Sequence, residues 1–149
     1  MKKVLYVDSL EDMNRLSKAI AEAVFPGFVI GLTGDLGAGK TTFTQYFGKH
    51  IGIDDAINSP TFTLMKHYQG DYFLSHIDAY RLEGAREDAS LEEYIDSDGV
   101  CVVEWYTYID LSMPETFLAL NIEHLGDEKR RVTLEGNDRY EDVVNNLSY

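Results

Sequence analysis

Cysteine is nearly missing from this 149-residue chain, and the single thiol, Cys101, excludes an internal disulfide. It falls within the apolar run Val100 to Val103, so it reads as a small buried hydrophobe rather than a reactive thiol. Long apolar runs are missing too. No stretch approaches the roughly 18 residues a membrane span needs, and Asp8 interrupts Met1 to Leu10 where a secretory signal would require an apolar core. The expectation is therefore a cytoplasmic protein without membrane attachment. Basic residues are scarce: 13 Lys and Arg stand against 26 Asp and Glu, a formal net charge of −13. Nucleic acid is itself a polyanion held mainly by lysine and arginine, so this balance counts against direct, unaided nucleic-acid binding. The closest basic pairs, Lys2 with Lys3 and Arg130 with Arg131, build no stripe. The acids Glu87, Asp88, Glu92 and Glu93 read as a solvated face or as a contact for a basic protein partner. Internal repeats and low-complexity tracts are absent from the sequence.

What is present suffices for one core. Hydrophobic residues make up 44% of the chain and aromatics 12%, which at this length predicts one domain over residues 1–149 without a linker. Lys2 to Val7 alternates like a short strand. Asp8 or Ser9 then caps a helix with apolar positions Leu10, Met13, Leu16, Ile20, Ala23 and Val24, and Ser9 with Asp12 resembles a capping box. Pro26 and Gly27 stop that helix, and Phe28 to Thr33 is a continuous apolar run suited to a strand covered on both faces. After a glycine-rich turn, Thr42, Phe43, Tyr46 and Phe47 recur at helical spacing until Gly48 to Gly52. Thr61 to Tyr68 and Tyr72 to Ile77, separated by Gln69-Gly70-Asp71, predict a hairpin, while Ala79 to Asp96 is polar and helical in part. Val100 to Glu104 is another buried strand. Thr116 to His124 and Arg131 to Glu135 flank a Gly126-Asp127 turn as a second hairpin, and Asn137 to Leu147 closes the chain as a helix. The order predicts an α/β fold: a mixed, mainly parallel central sheet with flanking helices.

The sharpest chemical signal is Gly34-Asp35-Leu36-Gly37-Ala38-Gly39-Lys40-Thr41, which satisfies G-x-x-x-x-G-K-[ST] between an apolar strand and a helix. Glycines reach backbone angles closed to other residues, so successive amides can converge on a phosphate at the positive end of the following helix. In such a loop Lys40 reaches the β and γ phosphates of ATP and the Thr41 hydroxyl ligates Mg2+.

A cradle alone does not catalyse; the metal and the attacking water need further ligands. Asp78 and Glu104 each end an apolar run, at the strand ends where open α/β sheets bind ligands. Each is a candidate for the second magnesium-side acid, against the alternative of a carboxylate at a solvated strand end. His76, two residues before Asp78, shares its face if the strand is regular, and reads as a hydrogen-bonding positioner or a core residue. Thr61, in Ser59-Pro60-Thr61-Phe62-Thr63, either contacts metal or nucleotide or simply begins a strand after proline. Arg81 fits a phosphate contact or a surface ion pair, and Trp105 a packing role or an aromatic wall. His50, His67 and His124 are too dispersed for a zinc set.

Four blocks together, Gly34 to Phe43, Ser59-Pro60-Thr61-Phe62, His76-Ile77-Asp78-Ala79-Tyr80-Arg81-Leu82 and Val103-Glu104-Trp105, resemble the bacterial TsaE family, the YjeE-like P-loop ATPases of tRNA threonylcarbamoyladenosine biosynthesis. The resemblance spans nearly the whole chain. It implies a P-loop NTPase-like domain whose ATPase works with the TsaD and TsaB proteins and meets tRNA only through that complex. It further implies that Lys40 and Thr41 bind ATP and Mg2+, that Asp78 and Glu104 serve the metal or its water, and that Trp105 supports the site. Gly37, Ala38, Gly39 and Thr42 belong to the nucleotide cradle, with Leu10 and Arg130 near the adenine side. The chain departs from many such relatives after Trp105, where Tyr106-Thr107-Tyr108 replaces proline or a small residue and then an acid. Two other readings compete: a small-molecule P-loop kinase, which usually carries an arginine-rich lid that is not evident here, and a nucleotide-gated binding module with little catalysis.

Overall fold

The computed structural model describes residues 1–35, 37–58, 60, 64–82 and 90–148. Leu36, Ser59, Thr61 to Thr63, Glu87 and Asp88 lie outside the described residues, as does the Arg81 side chain, so the expectations attached to them stay with the sequence. The elements run β1 (Lys2–Val7), α1 (Leu10–Glu22), β2 (Val29–Thr33), α2 (Lys40–His50), β3 (Met65–Gln69), β4 (Phe73–Asp78), α3 (Ser90–Ile95), β5 (Val100–Glu104), β6 (Leu118–Gly126), β7 (Lys129–Glu135) and α4 (Arg139–Asn146). Short 3-10 turns cover Tyr80–Leu82 and Tyr106–Ser112.

Seven strands form one sheet in the order β1-β7-β6-β2-β5-β4-β3. The centre, β6-β2-β5-β4, is parallel; the pairings β1 with β7, β7 with β6 and β4 with β3 are antiparallel. Burial follows from this placement. All five residues of β5 and the first four of β2 are buried, as continuous apolar central strands require, whereas β6 alternates between buried and partly exposed residues from Leu118 to Glu123.

One face of the sheet carries α1, α2 and α4 over Ile30, Leu32, Val102, Leu118, Leu120 and Leu134, into which Leu16, Ile20, Phe43, Phe47 and Val144 pack. The other face is covered over β4 and β5 by α3 and the Tyr106–Ser112 turn, through Leu91, Ile95 and Ile109 against Val29, Ile77, Cys101 and Val103. In α1 the Ser9 side chain accepts from the Asp12 amide at 3.1 Å, as the capping pattern predicts. The reciprocal bond reaches the Asp8 amide, at 3.2 Å, instead of that of Ser9. Leu10 is 49% exposed and does not belong to the buried stripe of Met13, Leu16, Ser17, Ile20 and Ala21. It sits at the first position of the helix, beside the phosphate loop.

Candidate functional site

The loop from Gly34 to Lys40 leaves the carboxyl end of β2 and enters α2. Three of its glycines have left-handed backbone angles: φ is 145° at Gly34, 79° at Gly37 and 115° at Gly39. Gly34 also passes against β6 so closely that a Cβ there would run into the Ile122 carbonyl oxygen. Gly39 caps α2 without any side-chain hydrogen bond, so the helix presents its N-terminal dipole uncapped, the arrangement that favours an anion.

Lys40 is 6% exposed. Its ammonium donates to the Gly34 carbonyl and, at 3.1 Å, to that of Asp35, and lies 4.9 Å from the centre of the Trp105 ring. Burial pushes its pKa down, opposed by the negative charges of Glu104, Asp78 and Asp35. The acids come from neighbouring strands: Asp78 ends β4 and pairs in register with Glu104, the last residue of β5. The Asp78 carboxylate accepts from the Tyr80 amide at 3.0 Å, and burial, reinforced by Glu104, raises its pKa despite that bond. Glu104, 4% exposed, meets His76 Nε2 at 2.6 Å through Oε2.

Trp105 turns the chain away from β5 in a left-handed conformation, φ 58° and ψ 42°, while its amide donates to Leu32 at 2.8 Å. Tyr108 stacks on it at 5.6 Å between ring centres, and Tyr80 leans on both. Tyr106 instead packs edge-on against Phe117 and occupies the space above Gly31. In the Tyr106-Thr107-Tyr108 departure, Tyr108 thus supplies packing for Trp105 and Tyr106 packs on Phe117, the latter a pairing with no local spacing signature in the sequence.

Gly37, Gly39, Lys40, Thr41, Thr42, Glu104, Trp105 and Arg130 line a single cleft of about 210 Å³. A small adjoining cavity of about 20 Å³ shares Gly39, Thr42 and Arg130 and adds Ser9, Leu10, Met13 and Glu128. Leu10 and Arg130 thus lie together beside the loop. Arg130 braces the loop, donating from Nε to the Ala38 carbonyl at 2.6 Å and from Nη1 to the Asp127 and Lys129 carbonyls. Glu128, which accepts from the Leu10 amide at 3.2 Å, was not legible in the sequence, because only the β6–β7 hairpin carries it there. Ala38 is buried and joins through its carbonyl rather than by lining the cleft, and Asp78, beside Glu104 on the neighbouring strand, is not among the lining residues. The other histidines lie elsewhere: His50 bonds Asn14, His67 bonds Ser75 and His124 meets the Asp127 carbonyl.

The donor set fits magnesium nucleotide. Among the described residues no group of three or more His, Cys, Asp or Glu is arranged to hold a metal alone. Magnesium suits such a site, since it usually takes one or two carboxylates and completes its shell with phosphate oxygens and water. Also among the described residues, no helix is long and apolar enough to cross a membrane.

Comparison with known proteins gives a consistent result. The family described as "Threonylcarbamoyl adenosine biosynthesis protein TsaE" matches residues 7–132. The chain is 43% identical over 140 residues to the tRNA threonylcarbamoyladenosine biosynthesis protein TsaE of Bacillus subtilis, covering 93% of this chain and 89% of that one. It is 34% identical over 128 residues to the Treponema pallidum protein of the same name, covering 85% of this chain and 95% of that one. The crystal structure of Bacillus subtilis YdiB superimposes with a TM-score of 0.82 at 35% identity, over 99% of this chain and 94% of that one.

Proposed function

The chain belongs to the TsaE family, and on that footing we propose that it binds ATP with Mg2+ and hydrolyses it within the cytoplasmic machinery that forms N6-threonylcarbamoyladenosine in tRNA. The observation that carries this reading is the convergence of the phosphate loop, Lys40, Thr41, Glu104, Trp105 and Arg130 on one cleft. The uncapped start of α2 receives the phosphates and Lys40 swings from the loop carbonyls to the β and γ oxygens, exchanging neutral acceptors for charged ones. Thr41 supplies a hydroxyl to the metal, and the paired carboxylates of Asp78 and Glu104 serve its remaining shell and orient the attacking water. Magnesium held by these residues would supply neutralisation of the phosphate charge. Trp105 walls the γ side beneath Lys40 and keeps water out. The nucleoside lies toward Leu10, Thr42 and Arg130, along the adjoining cavity.

The charge agrees with a partner-dependent role. A chain at −13 is poorly suited to grip tRNA by itself, and in the assembly that the family resemblance implies, tRNA is held through the TsaD and TsaB proteins and hydrolysis resets that complex. The test is phosphate release from Mg–ATP by the purified chain, alone and with TsaD and TsaB, comparing the wild type with Lys40→Ala and Glu104→Ala. Release that requires both residues and rises with the partners supports the proposal. ATP binding without phosphate release under any condition sinks the hydrolytic assignment.

A further inference from the structure

We propose that His76 is a positioning residue that holds the Glu104 carboxylate in place for the cleft, a role that rests on the Mg–ATP reading above. His76 is 0% exposed in the middle of β4. It lies opposite Val102, two residues before Glu104 on the neighbouring strand, so the 2.6 Å bond from Nε2 to Glu104 Oε2 runs diagonally between β4 and β5.

The other ring nitrogen identifies the donor. Nδ1 is buried and, among the described residues, has no hydrogen-bond partner. A proton on Nδ1 would strand a buried N–H, which proteins avoid more strictly than a bare acceptor lone pair. The ring hydrogen that the geometry calls for is therefore the one on Nε2, donated to Glu104. Oε2 is thereby engaged, on a glutamate that lines the cleft.

Packing alone does not account for a histidine here. The flanking positions Leu74, Val100 and Val102 are buried and apolar, and an aliphatic side chain would spare the fold an unmatched Nδ1. What an aliphatic residue cannot do is restrain a glutamate side chain, whose free rotamers cost entropy to order. The two acids of the site thus have separate holders: the Tyr80 amide for Asp78 and the His76 imidazole for Glu104. Outer partners of this kind set the orientation of groups around a metal.

His76→Leu and His76→Gln separate this role from a structural one, because glutamine keeps an N–H donor at similar reach. With His76→Leu, kcat for phosphate release falls roughly 10–100-fold, while KM and the affinity for ATP without turnover stay within about threefold. His76→Gln recovers most of kcat. In the nucleotide-free wild type, the ring 15N resonances of His76 report a hydrogen on Nε2, and Glu104→Gln shifts that signal. If His76→Leu does not fold, as judged by circular dichroism, His76→Asn replaces it, since its amide is too short to reach Glu104. Full kcat in the leucine or asparagine variant, equal losses with glutamine and leucine, or an Nε2 without a hydrogen each overturn the proposal. A wild type that hydrolyses no ATP overturns the ATPase reading instead, and the nitrogen resonances then decide separately whether His76 holds Glu104.

Discussion

Replacing Asp78 by asparagine should make the nucleotide-free protein more stable and much less active. Asp78 is desolvated at the end of β4 and pairs in register with Glu104, and both effects raise its pKa above the ordinary 3.8. Like charges on paired strands repel, and the repulsion grows as water is excluded and the effective permittivity falls. Lys40 offsets part of that repulsion, and partial exposure of Asp78 screens more. The asparagine side-chain oxygen still accepts from the Tyr80 amide, so the bond at 3.0 Å survives. The net gain at neutral pH is about 0.5–1 kcal/mol, or roughly 1–4 °C in Tm for a domain of this size. Its pH dependence has a defined sign. A carboxyl whose folded pKa is raised destabilises the fold fully above that pKa, and the cost vanishes as pH falls toward the unfolded value. The advantage of Asp78→Asn is therefore largest at neutral pH and shrinks toward pH 3.8. Calorimetry without nucleotide measures the gain, and phosphate release should fall by roughly 10–100-fold in the same variant. A folded Asp78→Asn protein that is no more stable than the wild type at pH 7, or that keeps full turnover, would refute the electrostatic reasoning.

Three further outcomes follow from individual contacts. Gly34→Ala forces a side chain onto a residue at φ 145° and against the Ile122 carbonyl, and should cost about 2–3 kcal/mol in urea or thermal unfolding; an unchanged midpoint would contradict the close approach of the loop to β6. Arg130→Ala removes the brace on the Ala38 carbonyl and a wall of the cleft, so Mg–ATP binding followed with a fluorescent nucleotide should weaken about 10-fold, equivalent to about 1.4 kcal/mol. Unaltered affinity would remove Arg130 from the site. Burial pushes the Cys101 thiol up to about 12, so a thiol reagent at pH 8 should modify it only after denaturation; rapid labelling of the folded protein would refute its burial.

Much of this molecule was written in local sequence. The glycine spacing with Lys40 and Thr41 specifies a phosphate cradle because backbone angles and a helix start are properties of a few consecutive residues. The apolar runs at β2 and β5, the two hairpins and the Ser9 cap were legible for the same reason, since period and turn chemistry act over short distances. What sequence left open was pairing. Asp78 and Glu104 are 26 positions apart, and only the parallel register of β4 and β5 makes them neighbours. The same pairing turns His76 from a residue with two readings into the partner of Glu104. Glu128 and Arg130 reach the loop because β6 lies beside β2 and the hairpin carries them back over Gly39. Leu10, counted in an apolar stripe by periodicity, is exposed because it occupies the first turn beside the cleft rather than facing the sheet. Sequence by itself determined the cradle and the elements, whose causes are local; the tertiary structure decided which acid, base and aromatic stand around that cradle, because strand order and register bring together residues whose separation along the chain carries no signal.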